Sequence, residues 1–130
     1  MSKIYVLNGP NLNMLGSREP EVYGTMNLTD IENQLRKASP AVDFVFGQTG
    51  SEDQLISWLH EAFKDKADVI LNPAAFTHYS YALRDACAMV TKANLKLIEV
   101  HISNIHKREA FRHHSYISGR ADGVIVGCGT

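Results

Sequence analysis

Three stretches of the chain carry residue types that could move protons. The first is NGPNLNMLGSREPEVYG, the seventeen residues from Asn8 to Gly24, in which Arg18 and Tyr23 stand five positions apart. A fixed guanidinium near a phenol favours the phenolate, so Tyr23 is a candidate base. The same stretch also fits a surface loop whose tyrosine packs and whose arginine is solvated. The second is EVHISNIHKREAFRHHS, from Glu99 to Ser115. Alternation along an extended strand puts Glu99 and His101 on one face. A carboxylate beside an imidazole orients it and favours its protonated form, which makes His101 a candidate general acid. The pair equally fits a half-buried histidine closing a strand. Ser103 and the amides around it could receive an anion, and Arg112 could hold a hydroxyl or carboxylate with a directed fork. His106, His113 and His114 read as structural or rim residues. The third is NPAAFTH, where Asn72 can present an amide, Pro73 turns the chain out of its strand, and His78 falls at the expected start of a helix. Asp85 would lie two turns further along that helix face. Alternatively, Asp85 balances Arg84 and His78 makes only a local hydrogen bond. A tyrosine base, a histidine acid, an amide and two arginines describe elimination or isomerisation through an enolate, on a polar and anionic small molecule.

Other chemistries lack their signatures. Six histidines raise the question of a metal, but His101 and His106 are five apart across a turn, His113 and His114 are adjacent, and no HExxH or Cys/His cluster occurs. GSRE and GQTGSED are neither GxGxxG nor GxxxxGK, and no serine sits in a GxSxG elbow. The lysines fall in helices, turns or exposed strand positions, away from where a Schiff base would form. No cofactor and no metal are expected.

These residues need a scaffold, and 130 residues with 45% apolar content make one domain, residues 1–130, able to bury its own core. A net charge of −1 gives no basic footprint for nucleic acid, and no apolar run approaches the roughly twenty residues of a membrane span. Cys87 and Cys128 lack metal-ligand spacing and fit a reducing compartment. With no signal peptide ahead of the first strand, a cytoplasmic location is expected. Strands are predicted over 3–8, 42–48, 67–72, 95–100 and 123–127. Helices lie between them, capped by Thr29, by Ser51 with Gln54 as a capping box, and by Thr77. Strand and helix alternate with short connections, which implies a parallel sheet covered on both faces and wound right-handedly. In such a sheet ligands bind outside the carboxyl ends of the strands. All the chemically loaded segments follow strands, so they belong on one edge.

Taken together, NGPNLNMLG, REPEVYG, TH…ALRDA after NPAAF, EVHISNIHKRE and FRHHSYIS resemble type II 3-dehydroquinate dehydratase, in register from Lys3 to about Gly129. The resemblance implies a flavodoxin-like three-layer α/β sandwich with a five-stranded parallel sheet. It implies removal of water from 3-dehydroquinate to give 3-dehydroshikimate, without cofactor or metal, in aromatic biosynthesis or in quinate breakdown. Carried over residue by residue, Tyr23 is the base, Arg18 on a closing lid favours the tyrosinate, Asn11 helps hold the enolate, His101 protonates the leaving hydroxyl and Glu99 orients it. Asn72, His78, Asp85, Ile102, Ser103 and Arg112 would hold the substrate's carboxylate and hydroxyls. Family members form trimers, four of which make a dodecamer, with Asp85 reaching a neighbour's site.

The sequence departs from the family's pattern in a few places. Thr49-Gly50 stands where Ser-Asn is usual, Ala74-Ala75-Phe76 where Gly-Ala-Tyr is common, and Ser118-Gly119-Arg120-Ala121-Asp122 replaces a Ser-Pro turn. Relatives continue past Gly129-Thr130 into a final helix, so one face of the last strand is expected to lack a cover. Two other classes remain to be told apart from the dehydratase: a binding module that keeps the pocket for a partner, which would need no acid and base together, and a metal hydrolase, which a chelator would silence.

Overall fold

The computed structural model describes residues 2–17, 21 and 25–130. Arg18 and Tyr23 lie outside the described residues. Five strands form one sheet: β1 (Lys3–Asn8), β2 (Asp43–Gln48), β3 (Asp68–Asn72), β4 (Leu97–His101) and β5 (Gly123–Val126). Their order is β2-β1-β3-β4-β5, and all neighbours are parallel. The register sets Asn8 beside both Gln48 and Asn72, and His101 beside Val126, so the carboxyl ends of the strands finish level along one edge.

Strand alternation divides the apolar side chains between two layers. Tyr5, Leu7, Val69, Leu71 and Leu97 form a core with α2 (Glu52–Asp65) and α3 (Tyr81–Lys92), which contribute Leu55, Leu59, Leu83, Cys87 and Val90. The opposite face meets α1 (Leu28–Ala38), whose Ile31 and Leu35 sit over Val6, Ile70 and Val100 around an apolar cleft. No residue of α1 is fully buried, and Val124 and Ile125 of β5 are 43% and 48% exposed. Among the described residues no helix is long and apolar enough to cross a membrane.

The helix starts differ from two of the three expected caps. Asn27, not Thr29, caps α1: its side chain accepts from the Asp30 amide at 2.8 Å while the Asp30 carboxylate accepts from the Asn27 amide at 3.1 Å, a complete capping box. Ser51 caps α2 through the Gln54 amide, although only that half of the box forms. Ser80, not Thr77, caps α3, because Thr77 lies in a preceding 3-10 turn, Ala74–His78, and its hydroxyl is used elsewhere. Consequently His78 does not start α3, and it does not share a helix with Asp85. β4 begins at Leu97 rather than Leu95, since Leu95 still donates to Val90 at the end of α3 and Asn94 adopts a left-handed φ of 62°. Close approach fixes Gly9 at the functional edge: a Cβ there would meet the Pro73 carbonyl oxygen at 2.7 Å.

Candidate active site

A cleft open to solvent lies at the carboxyl ends of β1, β3 and β4. Its walls include Asn11, Asn72, His78, His101, Ile102, Ser103 and Arg112, so residues separated by a hundred positions in sequence meet at one sheet edge. The switch in strand order between β1 and β3 produces this crevice, as open α/β sheets generally do.

β4 delivers the central pair. Glu99 is wholly buried and His101 is 5% exposed. The His101 Nε2 donates to Glu99 Oε2 at 2.5 Å. Three hydroxyls converge on the same carboxylate: Thr77 at 2.9 Å and Ser115 at 2.8 Å on Oε2, and Ser118 at 2.5 Å on Oε1. Burial alone would raise the Glu99 pKa. The hydrogen bonds from His101, Ser118 and Ser115, with the charge of His101, outweigh it and hold the carboxyl below its ordinary value. Glu99 is therefore a buried anion, and His101 is anchored through Nε2, which leaves Nδ1 as the nitrogen able to serve a ligand.

His78 stands opposite, its ring stacked on that of His101 with centroids 6.5 Å apart. Nδ1 of His78 donates to the His114 carbonyl at 2.9 Å, which leaves Nε2 as an acceptor. Burial, and then the positive neighbours His101 and Arg112, hold the His78 pKa below its ordinary value despite that bond. A neutral His78 suits acceptance of a hydroxyl proton from a ligand. Asn72, at the end of β3, spends its Oδ1 on the Ala74 amide at 3.1 Å, which fixes its side chain and directs its amide hydrogens elsewhere. Ala74 takes a left-handed φ of 52°, and Asn11 likewise, at 69°.

The cationic wall differs from the sequence expectation. Arg112 lines the cleft, but its Nε is paired with the Glu109 carboxylate and its guanidinium lies 4.7 Å from the Phe111 ring centroid. Only its terminal nitrogens remain for a ligand. Arg108, which the sequence reading passed over, also lines the cleft and donates to the Ser103 hydroxyl at 3.3 Å. Its position in the HKRE run, one turn after β4, was the available signal. Asp85 does not reach this cleft: it is exposed on α3 and paired with Arg84 at 3.0 Å. His113 bonds the Arg108 carbonyl and His114 packs edge-on against Tyr116, as rim residues would. Among the described residues no group of three histidine, cysteine or acidic side chains is arranged to hold a metal ion.

Known proteins resemble this chain over nearly its whole length. The sequence profile of the family described as Dehydroquinase class II matches residues 2–130. A 3-dehydroquinate dehydratase of Streptomyces coelicolor is 52% identical over 97% of this chain and 80% of its own length. A relative in Agrobacterium fabrum, 3-dehydroquinate dehydratase 2, is 51% identical over 99% of this chain and 87% of its own. Among solved structures, type II dehydroquinase from Propionibacterium acnes superposes with a TM-score of 0.93 at 44% identity, covering 99% of this chain and 88% of that one. A fold that superposes over nearly its full length and a sequence match from end to end lead to one conclusion: this chain belongs to the class II dehydroquinase family.

Proposed function

We propose that this protein is a 3-dehydroquinate dehydratase that eliminates water through an enolate, with Tyr23 as the base and His101 as the general acid. The observation that carries the reading is buried Glu99 bonded to His101, which lines a polar cleft. A carboxylate in that place stabilises the imidazolium and aims its Nδ1–H into the cleft. Tyr23 takes the proton from the carbon alpha to the ketone, and the electron pair passes into the enolate. An unperturbed phenol has a pKa of roughly 10, so Arg18 must favour the tyrosinate for it to act near neutral pH. Asn11, on the cleft wall, helps hold the enolate oxygen. As the enolate reverts, the carbon–hydroxyl bond breaks and His101 supplies the proton that lets hydroxide leave as water. The product is the conjugated enone, 3-dehydroshikimate.

The remaining wall orients the ring. Ile102 and Ser103 offer backbone amides and a hydroxyl to the substrate carboxylate, with Arg108 and Arg112 supplying positive charge. Asn72 and the neutral His78 take the ring hydroxyls. The reaction serves aromatic biosynthesis or quinate breakdown in the cytoplasm. Asp85 is exposed and does not line its own cleft, and Tyr79, Tyr81 and Phe111 leave aromatic surface exposed. Both features support a homo-oligomer, trimers assembled to a dodecamer, in which Asp85 completes a neighbour's site. Adding 3-dehydroquinate to the purified protein should produce the absorbance of a conjugated enone, unaffected by chelator and without inactivation by borohydride. No absorbance change would reject the assignment, and borohydride inactivation would replace the enolate with an imine.

A further inference from the structure

Four donors on one carboxylate are more than orientation of an imidazole requires. Three of them are hydroxyls from segments outside β4: Thr77 in the turn after β3, and Ser115 and Ser118 in the connection to β5. We propose that Thr77, Ser115 and Ser118 form a hydroxyl cage that keeps the proton shared by Glu99 and His101 on the imidazole side of their hydrogen bond, and so act as positioning residues for the general acid. The proposal rests on His101 being that acid.

The geometry makes the cage one-directional. The Ser115 oxygen accepts from the amides of Ile117 and Ser118, both at 3.2 Å, which leaves its hydroxyl hydrogen to reach Glu99 or the adjoining Thr77 oxygen. Thr77 is completely buried, and its hydroxyl touches both the carboxylate, at 2.9 Å, and the Ser115 hydroxyl; only one hydrogen fits between the two hydroxyls, so the pair delivers at least one to Glu99. Each hydroxyl stabilises a carboxylate more than a carboxylic acid, because hydrogen bonds to an ion are the stronger ones. The other titratable groups facing the pair do not substitute for the cage. Cys87, reaching from α3, stays a neutral thiol, its pKa pushed up to about 12 by burial and then by the Glu99 charge. His78, Arg108 and Arg112 face the cleft side, and His78 carries no charge in its favoured form.

Removing the cage favours movement of the proton from His101 Nε2 to Glu99 Oε2. An imidazolium and a carboxylate become a neutral imidazole and a carboxylic acid, with the same number of protons in the pair. The Nδ1–H left for a ligand then belongs to a neutral ring and is a far weaker acid. Losing one charge-assisted hydrogen bond moves the partition about tenfold or more towards the carboxylic acid. The same shift adds stability to the protonated pair, so the alkaline limb of the kcat profile moves up by about one pH unit for each tenfold drop in its plateau.

The test uses protein labelled with 15N-histidine, at a pH where the pair holds its shared proton, with His101→Ala identifying the His101 signals. The parent is expected to show both ring nitrogens of His101 protonated. Ser118→Ala and the double variant Ser115→Ala/Ser118→Ala are expected to lose the Nε2 proton progressively, with folding verified by thermal melting. Thr77→Val loses it in part, and Thr77→Ser, which retains the hydroxyl, keeps the parent spectrum. An unchanged imidazolium in a folded Ser118→Ala variant overturns the cage, as does a fall in the kcat plateau with no upward movement of its alkaline limb. The nitrogen spectrum needs no turnover, so a parent protein without dehydratase activity would reject the function while the cage is judged separately.

Discussion

Replacing Glu99 by Gln separates what this residue does for the fold from what it does for the reaction. The side chain keeps its shape but loses its charge in a site with no exposure to solvent. Four hydrogen bonds end on the carboxylate, from His101, Thr77, Ser115 and Ser118. Bonds to an ion contribute about 1.5–3 kcal/mol and neutral ones about 0.5–1.5 kcal/mol. The substitution therefore forfeits roughly 1–1.5 kcal/mol per bond, or about 4–6 kcal/mol in all. Against this stands the desolvation penalty of a buried ion, itself several kcal/mol, which Gln does not incur. The two nearly cancel, and stability near neutral pH should change by no more than about 2 kcal/mol. Activity has no such compensation, because an amide cannot stabilise an imidazolium, and the loss of general acid catalysis predicts a fall in kcat of about 10²–10⁴. Acid unfolding supplies a third reading. The folded pKa of Glu99 lies below its unfolded value, so its contribution to stability is complete above the ordinary carboxylate pKa and disappears as pH falls through the lower folded value. Glu99→Gln should lack that component and unfold less steeply in acid. Urea titrations at several pH values and the enone absorbance assay measure all three. A kcat within about threefold of the parent's would refute the reasoning, as would an unaltered acid dependence.

Tyr23→Phe should nearly abolish turnover while leaving substrate affinity within about tenfold, since it removes a group that acts only in the transition state; kinetics paired with calorimetry check this. Asn72→Asp keeps the oxygen that holds the Ala74 amide but removes the donor facing the cleft, so KM should rise by about tenfold or more with little change in melting temperature. Gly9→Ala would drive a Cβ to 2.7 Å from the Pro73 carbonyl oxygen, and should cost about 1–3 kcal/mol in urea unfolding together with activity, because the backbone that must yield carries Asn72. His78 has a folded pKa below the ordinary histidine value near 6.5, so part of the stability present above that pH is lost as pH falls through the folded value; unfolding midpoints below pH 7 should decline less in His78→Asn.

The sheet and the Glu99–His101 pair were legible in the sequence because period-two alternation and strand-end position determine both, and neither depends on fine packing. Asn72 and Ser103 were located for the same reason: one ends β3 and the other stands just past β4, and parallel strands level their carboxyl ends. Helix caps were less legible. Asn27 and Thr29 both suit a cap, and the choice fell to Asn27 because it can exchange two hydrogen bonds with Asp30. Thr77 followed by an amphipathic run resembles a cap, yet tertiary structure recruits its hydroxyl to Glu99, twenty-two residues away, and Ser80 replaces it. Ser115 and Ser118 gave no local signal at all, since their role exists only once the connection to β5 folds back over Glu99. Glu109 capturing Arg112 was likewise invisible until the turn between them formed.

In the proposed mechanism, delivery of the proton by His101 is what turns this cleft from a binding site into a dehydratase. The most direct measurement is kcat for His101→Ala with 3-dehydroquinate, alongside the affinity of the same variant for the substrate. We expect kcat to fall by about 10²–10⁴ with the affinity changed less than about tenfold. Turnover at or near the parent rate would contradict the assignment of His101 as the acid, and the function of the Glu99 site beneath it would have to be sought elsewhere.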